Sequence, residues 1–441
     1  MSITISKKRT FFGLNLPIIL PLLLLSVLGI ITLLSTRILP DGSFGDLGIV
    51  WKQVVALGIG WLGFFVLSKV DISYLKHWQV LVAIYVVTVA LLVITLFFAP
   101  VINGVRRWLV IGGFQIQPSE IAKLSVILIT ASVMAMREKY NEWILFLITL
   151  VSIFVIFLLV YLEPGGSMSL LIMSIWFLLA FLGLSNPFRN SVFVAIIGSI
   201  TGGFLIAAVT SNWYWYLLTF VGIVIAIFAV YARGMSKILV AISLSIALLL
   251  GVVLSVVWDS VLHDYQKNRI EAFFNPAETE SNTGFNVNQS RIAIGSGQIF
   301  GKGFGNGTQS KRDFIPEHET DFIFASYAEE FGLVGSLFLL GLYAVIVLTC
   351  FTTGMNLVDE KMLSLICIGI GLQILLGVFI NVGTNLGAIP ATGIPLPLMS
   401  SGGTVTIMTL FSMGIVQNIY KKYLTKTKDK SNDILNVYEI S

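Results

Sequence analysis

Three stretches of this chain gather side chains that could do chemistry. The first is residues 103–123, NGVRRWLVIGGFQIQPSEIAK. Arg106 and Arg107 precede Trp108 and an apolar run, Leu109–Ile111, too short to cross a bilayer. Paired guanidinium groups can hold a phosphate or diphosphate through two-pronged hydrogen bonds. Tryptophan suits a membrane–water boundary, so contact with anionic lipid headgroups is the plainer reading of the same residues. Pro118 fits the first turn of a helix, and Glu120 in that turn is favoured by the helix dipole. Lys123 follows three positions later, so Glu120 and Lys123 can meet on one face. Ionisable groups inside a span cost about 2.5–3.5 kcal/mol, which makes each a functional hypothesis with a partner to be named. An ion pair that only ties helices together is the alternative.

The second stretch is 313–330, DFIPEHETDFIFASYAEE. Glu317, Glu319 and Asp321 crowd the lip of an apolar segment, and Thr320 or Asp321 can cap its helix. Asp321, with Phe322, Ile323 and Phe324 behind it, is a candidate general base at the interface; the alternative is an ordinary cap. Glu329 and Glu330 lie two turns deeper, where one facing the bundle interior needs a partner. Just upstream, residues 295–309 are dense in glycine, with Lys302 and Gln309 as the polar groups that could reach a substrate. A dinucleotide loop is excluded because the run is not flanked by a strand and a helix in that order. The glycines are expected to let backbone pack tightly at a lipid surface. The third stretch, 381–403, breaks any continuous helix with three prolines and several glycines and ends Met399-Ser400-Ser401-Gly402-Gly403. Irregular backbone at membrane depth is tolerated only when buried in protein or lining a wet cavity, here a groove open to lipid.

These stretches must be positioned by membrane helices. Of 441 residues, 56% are hydrophobic and 11% charged, and the mean hydropathy is +0.92. A soluble domain carries roughly 25% charged residues. Runs long enough to span occur at about 16–36, 49–68, 78–99, 118–136, 143–162, 167–185, 190–209, 213–231, 237–258, 322–350, 362–380 and 403–420. The expected fold class is therefore an all-α polytopic membrane protein with about 12 transmembrane helices and a large extracytoplasmic loop. Its divisions are a tail at 1–15, helices one to nine over 16–258 with an outer re-entrant segment near 104–117, the loop at 259–321, helices ten to twelve over 322–420, and a second tail at 421–441. Lys69, Lys76, Arg137, Lys139, Arg189, Arg233, Lys237, Lys361 and the lysines after 420 all fall on one side, which puts both termini in the cytoplasm. The three chemistry-bearing stretches then face outward. Cys350 and Cys367 lie in apolar runs as free thiols, since a disulfide framework or metal site needs more cysteines at tighter spacing.

Six segments, in order, resemble the SEDS family (shape, elongation, division and sporulation), whose members include RodA and FtsW. They are VRRW at 105–108, QPSEIAK at 117–123, HDYQKNRIEAFFNP at 263–276, QSRIAIGSGQIFGKGFGNGTQ at 289–309, PEHETDFIFASYAEEFGLVG at 316–335 and ATGIPLPLMSSGG at 391–403. The stretch Gly301–Gly335 is more similar to RodA members than to FtsW members. The resemblance implies a peptidoglycan glycosyltransferase that polymerises lipid II on the outer face of the bacterial cytoplasmic membrane, for elongation or division. It works beside a class B penicillin-binding protein, among membrane lipids and without nucleic acid. It implies Asp321 as the catalytic base. Substrate contacts would come from Arg106, Arg107, Trp108, Glu120, Lys123, Lys302, Gln309, Glu319, Ser400 and Ser401. It implies no fixed cofactor; a divalent cation, magnesium or manganese, could share the diphosphate's charge, although no metal-ligand spacing stands out. The sequence departs from the family pattern in several places. Glu163-Pro164-Gly165-Gly166-Ser167 stands where a Pro-Asp-Leu-Gly pattern is usual, leaving Glu163 as the acidic residue there. Glu319 precedes Thr320 where histidine is common, and Ser401 replaces a usual tyrosine. The family has ten spans, so the extra pair falls within 190–258. Two other functions fit parts of the pattern: a flippase for a lipid-linked precursor, and a non-catalytic scaffold for a penicillin-binding protein.

Overall fold

The computed structural model describes residues 10–11, 14–39, 41–102, 104–163, 165–210, 216–231, 237, 240–241, 243–249, 251, 282–308, 319–357 and 359–439. The chain is a polytopic helical membrane protein. Its helices are α1 (Leu16–Thr36), α2 (Gly48–Leu67), α3 (Trp78–Phe98), α4 (Pro118–Met134), α5 (Glu142–Leu162), α6 (Gly166–Gly183), α7 (Pro187–Thr210), α8 (Tyr216–Tyr231), α9 (Asn282–Ser296), α10 (Ile323–Met355), α11 (Lys361–Asn385) and α12 (Gly403–Glu439). Among the described residues, eight helices are long and apolar enough to cross a membrane: α1 to α6, α10 and α11. Helices α7, α8 and α12 fall on the expected seventh, eighth and twelfth spans, while most of the ninth, 237–258, lies outside the described residues. The described residues also form two small ribbons, β1 (Thr10–Phe11) with β2 (Leu14–Asn15) and β3 (Leu109–Ile111) with β4 (Phe114–Ile116), each antiparallel.

The chain forms two compact units, one of Met1–Gly183, Gln289–Leu386 and Thr392–Ser441, the other of Leu184–Asn288 with Gly387–Ala391. In the first unit α4 is the central helix, packed against α3, α5, α6, α11 and α12 and buried along most of its length. Its peripheral helices expose leucine, valine and phenylalanine on one side, such as Leu62, Phe98 and Leu170, the faces a bilayer would cover. Helix α2 lies along α12, α1 along α10, and α10 along α11. The α2–α12 approach is close because Gly414 has no Cβ; one there would sit 2.7 Å from the carbonyl oxygen of Phe64. Gln53 Nε2 donates to Thr406 Oγ1 at 2.9 Å across the same pair, so these buried polar groups satisfy each other. In the second unit α7 and α8 pack through Ile196, Ile200, Ala226 and Ala229.

The long helix α10 is broken at Gly332, whose φ of 66° and ψ of −164° no helix accommodates. Residues 323–331 therefore form a short helical arm ahead of the spanning part. The glycine-dense segment docks on this break. A Cβ at Gly301 would lie 2.1 Å from the carbonyl oxygen of Glu330, so backbone meets backbone there. The N–H groups of Lys302 and Gly303 donate to the carbonyls of Glu329 and Glu330, at 3.0 and 2.9 Å. Within the irregular stretch, the run 394–400 is buried in protein: Ile394, Leu396, Leu398, Met399 and Ser400 are all inaccessible.

Candidate active site

Five residues, Ser400-Ser401-Gly402-Gly403-Thr404, bridge two of the chemistry-bearing stretches. On one side Thr404 Oγ1 donates to the carbonyl of Gln115 at 3.1 Å and accepts from the N–H of Gln117 at 3.0 Å. This fixes the β3–β4 hairpin and the start of α4. On the other side the Ser401 N–H donates to the carbonyl of Glu319 at 2.8 Å, and Ser400 Oγ donates to that of Thr320 at 2.5 Å. The carbonyl of Asp321 accepts from Asn381 Nδ2 at 2.9 Å and from Asn385 Nδ2 at 3.0 Å. Asp321 is half-buried. It does not cap its helix, and neither does Thr320: α10 starts at Ile323 with Phe322 in the cap position and no side-chain cap of its own. The third N–H of α10, that of Ala325, is shared between the Phe322 carbonyl at 3.0 Å and Asn385 Oδ1 at 3.1 Å, so a side chain from α11 contributes to the cap.

Two acidic groups of the site have cationic partners. Glu319 is buried and forms an ion pair with Arg37 at the end of α1. Glu120 and Lys123 meet as the spacing predicts, at 2.7 Å, and both are buried. Glu120 Oε1 has no hydrogen-bond partner among the described residues. Lys123→Ala is expected to destabilise the protein by about 3–5 kcal/mol, because it strands the Glu120 charge in the interior. Pairing it with Glu120→Gln should restore most of the loss, and melting of the two purified variants measures both. If the single variant melts as the wild type does, the pair has no structural weight.

Lys302 does not point to open space. Its Nζ lies 2.6 Å from Glu329 Oε1, and the same oxygen accepts from the Thr308 N–H at 2.9 Å and Thr308 Oγ1 at 2.8 Å. Glu330 accepts from Ser35 Oγ, which in turn accepts from the Gly305 N–H at 3.0 Å. Both deep glutamates thus have partners, and both fasten the 301–308 segment to α10. Ser400 is buried and serves the backbone of Thr320, while Gln309 lies outside the described residues, as do 263–276 and 309–318.

The hairpin that carries the arginines turns at Gly112 and Gly113, both at positive φ. Arg106 is exposed, with Nη1 donating to the carbonyl of Phe97 at 3.1 Å. Arg107 and Trp108 are half-buried, and Arg107 Nε donates to the carbonyl of Glu163 at 3.1 Å. Burial pushes the Glu163 carboxyl up to about 8, against the opposing pull of Arg107. Folded Glu163 therefore holds a proton that the unfolded chain releases near its ordinary 4.5. Stability should fall as pH rises from the lower value through the upper one, then level off. Glu163→Gln is expected to remove that decline, giving a higher melting temperature than the wild type above about pH 8 and no gain in acid. Parallel melting curves across pH would contradict this.

Sequence reasoning passed over Arg37, Thr404, Asn381 and Asn385. The signal for the last two was present: two asparagines four residues apart at the end of an apolar run share a helix face and demand partners. Helix α11 continues through both to Asn385, beyond the expected end of its span at 380. Among the described residues no group of three or more His, Cys, Asp or Glu side chains could hold a metal ion.

A family profile described as "Cell cycle protein", for FtsW, RodA and SpoVE, matches residues 15–219 and 216–424. The chain belongs to the FtsW/RodA/SpoVE family. It is 29% identical over 427 residues to the peptidoglycan glycosyltransferase MrdB of Escherichia coli (strain K12), covering 96% of this chain and 98% of that one. Two solved structures share the FtsW/RodA/SpoVE fold with it. One is described as "Structural coordination of polymerization and crosslinking by a peptidoglycan synthase complex", with a TM-score of 0.64, 23% identity, and 94% of this chain and 99% of that chain covered. The other is the rod shape determining protein RodA of Thermus thermophilus, at 0.57, 22%, 94% and 98%.

Proposed function

We propose that the chain is a peptidoglycan glycosyltransferase that joins lipid II disaccharide units into glycan strands at the outer face of the bacterial cytoplasmic membrane. One observation carries the reading. The half-buried Asp321 sits at the head of a broken span, on a turn whose three successive carbonyls are all hydrogen-bonded, and the same short bridge holds the hairpin of Arg106 and Arg107. In this reading the GlcNAc 4-hydroxyl attacks the anomeric carbon of a MurNAc unit. Asp321 takes the hydroxyl proton as the new glycosidic bond forms, and the bond to the undecaprenyl diphosphate breaks. The departing diphosphate is anionic, so fixed positive charge lowers the barrier. Arg106 and Arg107 are assigned to it, Trp108 to the membrane boundary, and Lys123 to the field of the site through its pair with Glu120. Magnesium or manganese would act as a further counter-charge brought in with the diphosphate. The basic loops support cytoplasmic termini. The fold shared with a chain of a polymerising and crosslinking complex supports a class B penicillin-binding protein as partner.

Fluorescent lipid II in proteoliposomes separates the enzyme from its rivals. Glycan ladders on a gel are expected. Transfer of lipid II between leaflets with no ladder would make the chain a flippase, and neither product from a folded complex would make it a scaffold.

A further inference from the structure

We infer that Asn381, Asn385 and Ser400 are positioning residues that fix the direction of the Asp321 carboxylate by clamping the backbone on which it stands. The inference rests on Asp321 as the base. Both asparagines are buried, at 1% and 0% exposure, inside a largely apolar helix, where an amide persists only if its hydrogen bonds are met. Their two Nδ2 groups converge on one acceptor, the Asp321 carbonyl, and so fill both of its lone pairs. Asn381 Nδ2 also reaches the carbonyl of Ile394 at 2.8 Å, and Asn385 Nδ2 that of Asn381 at 2.9 Å. These carbonyls, with the Ala325 N–H on Asn385 Oδ1, leave a single sensible orientation for the Asn385 amide. Ser290 Oγ holds the carbonyl of Asn385 at 2.8 Å from a third element, α9.

At the start of α10, Asn385 Oδ1 supplements the Phe322 carbonyl on the Ala325 N–H. The second asparagine and the double donation do something further: they fix the peptide plane after Asp321. Ser401 N–H and Ser400 Oγ fix the two planes before it. With three consecutive planes held, the Cα–Cβ direction of Asp321 is set, and only its own two torsions remain. That is preorganisation of a reacting group by a buried supporting shell.

Asn381→Ala is the cleaner variant, since it removes donors to Asp321 and Ile394 and leaves the cap on Ala325 intact. In the complex with its transpeptidase partner, kcat for lipid II polymerisation should fall about 10²-fold, the loss that an ångström of misplacement can cause. KM should stay within about twofold of the wild type, as for an interaction used only in the transition state. Ser400→Ala should behave alike, with Ser400→Thr restoring the rate because the hydroxyl returns. If Asn381→Ala fails to fold, the serine pair carries the test alone. In an Asp321→Asn background the clamp variants should cost little more. An equal fractional loss in both backgrounds, or a loss carried by KM, would overturn the clamp while leaving Asp321 as base. A wild-type rate in Asp321→Asn itself would instead remove the base reading on which the clamp depends.

Discussion

Asp321→Asn is expected to lower the rate of glycan polymerisation by about 10²–10⁴-fold, the range that a positioned general base contributes. The substitution keeps the shape of the side chain and removes its ability to accept the proton of the attacking hydroxyl. It should leave the fold intact, because the contacts that hold this turn are made by backbone carbonyls at 319, 320 and 321. Melting temperature and partner binding should therefore match the wild type while activity is lost. Asp321→Glu extends the carboxylate by one methylene from a fixed Cα and should recover only part of the rate. Retention of activity by Asp321→Asn would hand the base role to another group.

Gly332→Ala should be strongly destabilising. The residue sits at φ 66° and ψ −164°, a region that only glycine occupies without strain. An added Cβ would also lie 2.3 Å from the Gly301 amide nitrogen and 2.6 Å from the Ile299 carbonyl oxygen. Backbone strain of about 1–3 kcal/mol and overpacking of about 1–3 kcal/mol act together, because neither neighbour is a flexible side chain. The N–H groups of Leu333 and Val334 donate to Gln298 and Ile299 across the same break, so the 297–308 segment should loosen with it. A lower melting temperature and faster amide exchange in that segment are the expected readouts. An unchanged melting temperature would mean that α10 straightens at no cost.

Much of this architecture was legible in the residues. Apolar runs bounded by basic turns mark the spans because lipid accepts little other than helices. The spacing of Glu120 and Lys123 foretells their contact, since helical geometry alone brings them together. What could not be read is tertiary. Lys302 pairs with Glu329, and nothing local announces that partner. The bonds from Ser400 Oγ to Thr320 and from the Ser401 N–H to Glu319 join segments some 80 residues apart, which local sequence does not announce. Local rules point to Thr320 or Asp321 as the cap of α10, whereas the side chain that reaches its first turn is Asn385 of another helix. Leu109–Ile111 reads as too short to span; its pairing with Phe114–Ile116 rests on Gly112 and Gly113, which permit the tight positive-φ turn.

The most direct test is polymerisation by the purified chain. The chain in complex with a class B penicillin-binding protein is given lipid II in liposomes, beside the partner alone and the complex carrying Asp321→Asn. Glycan ladders from the wild-type complex only are the predicted result. Ladders of equal yield from the partner alone, or none from a folded wild-type complex, would contradict it.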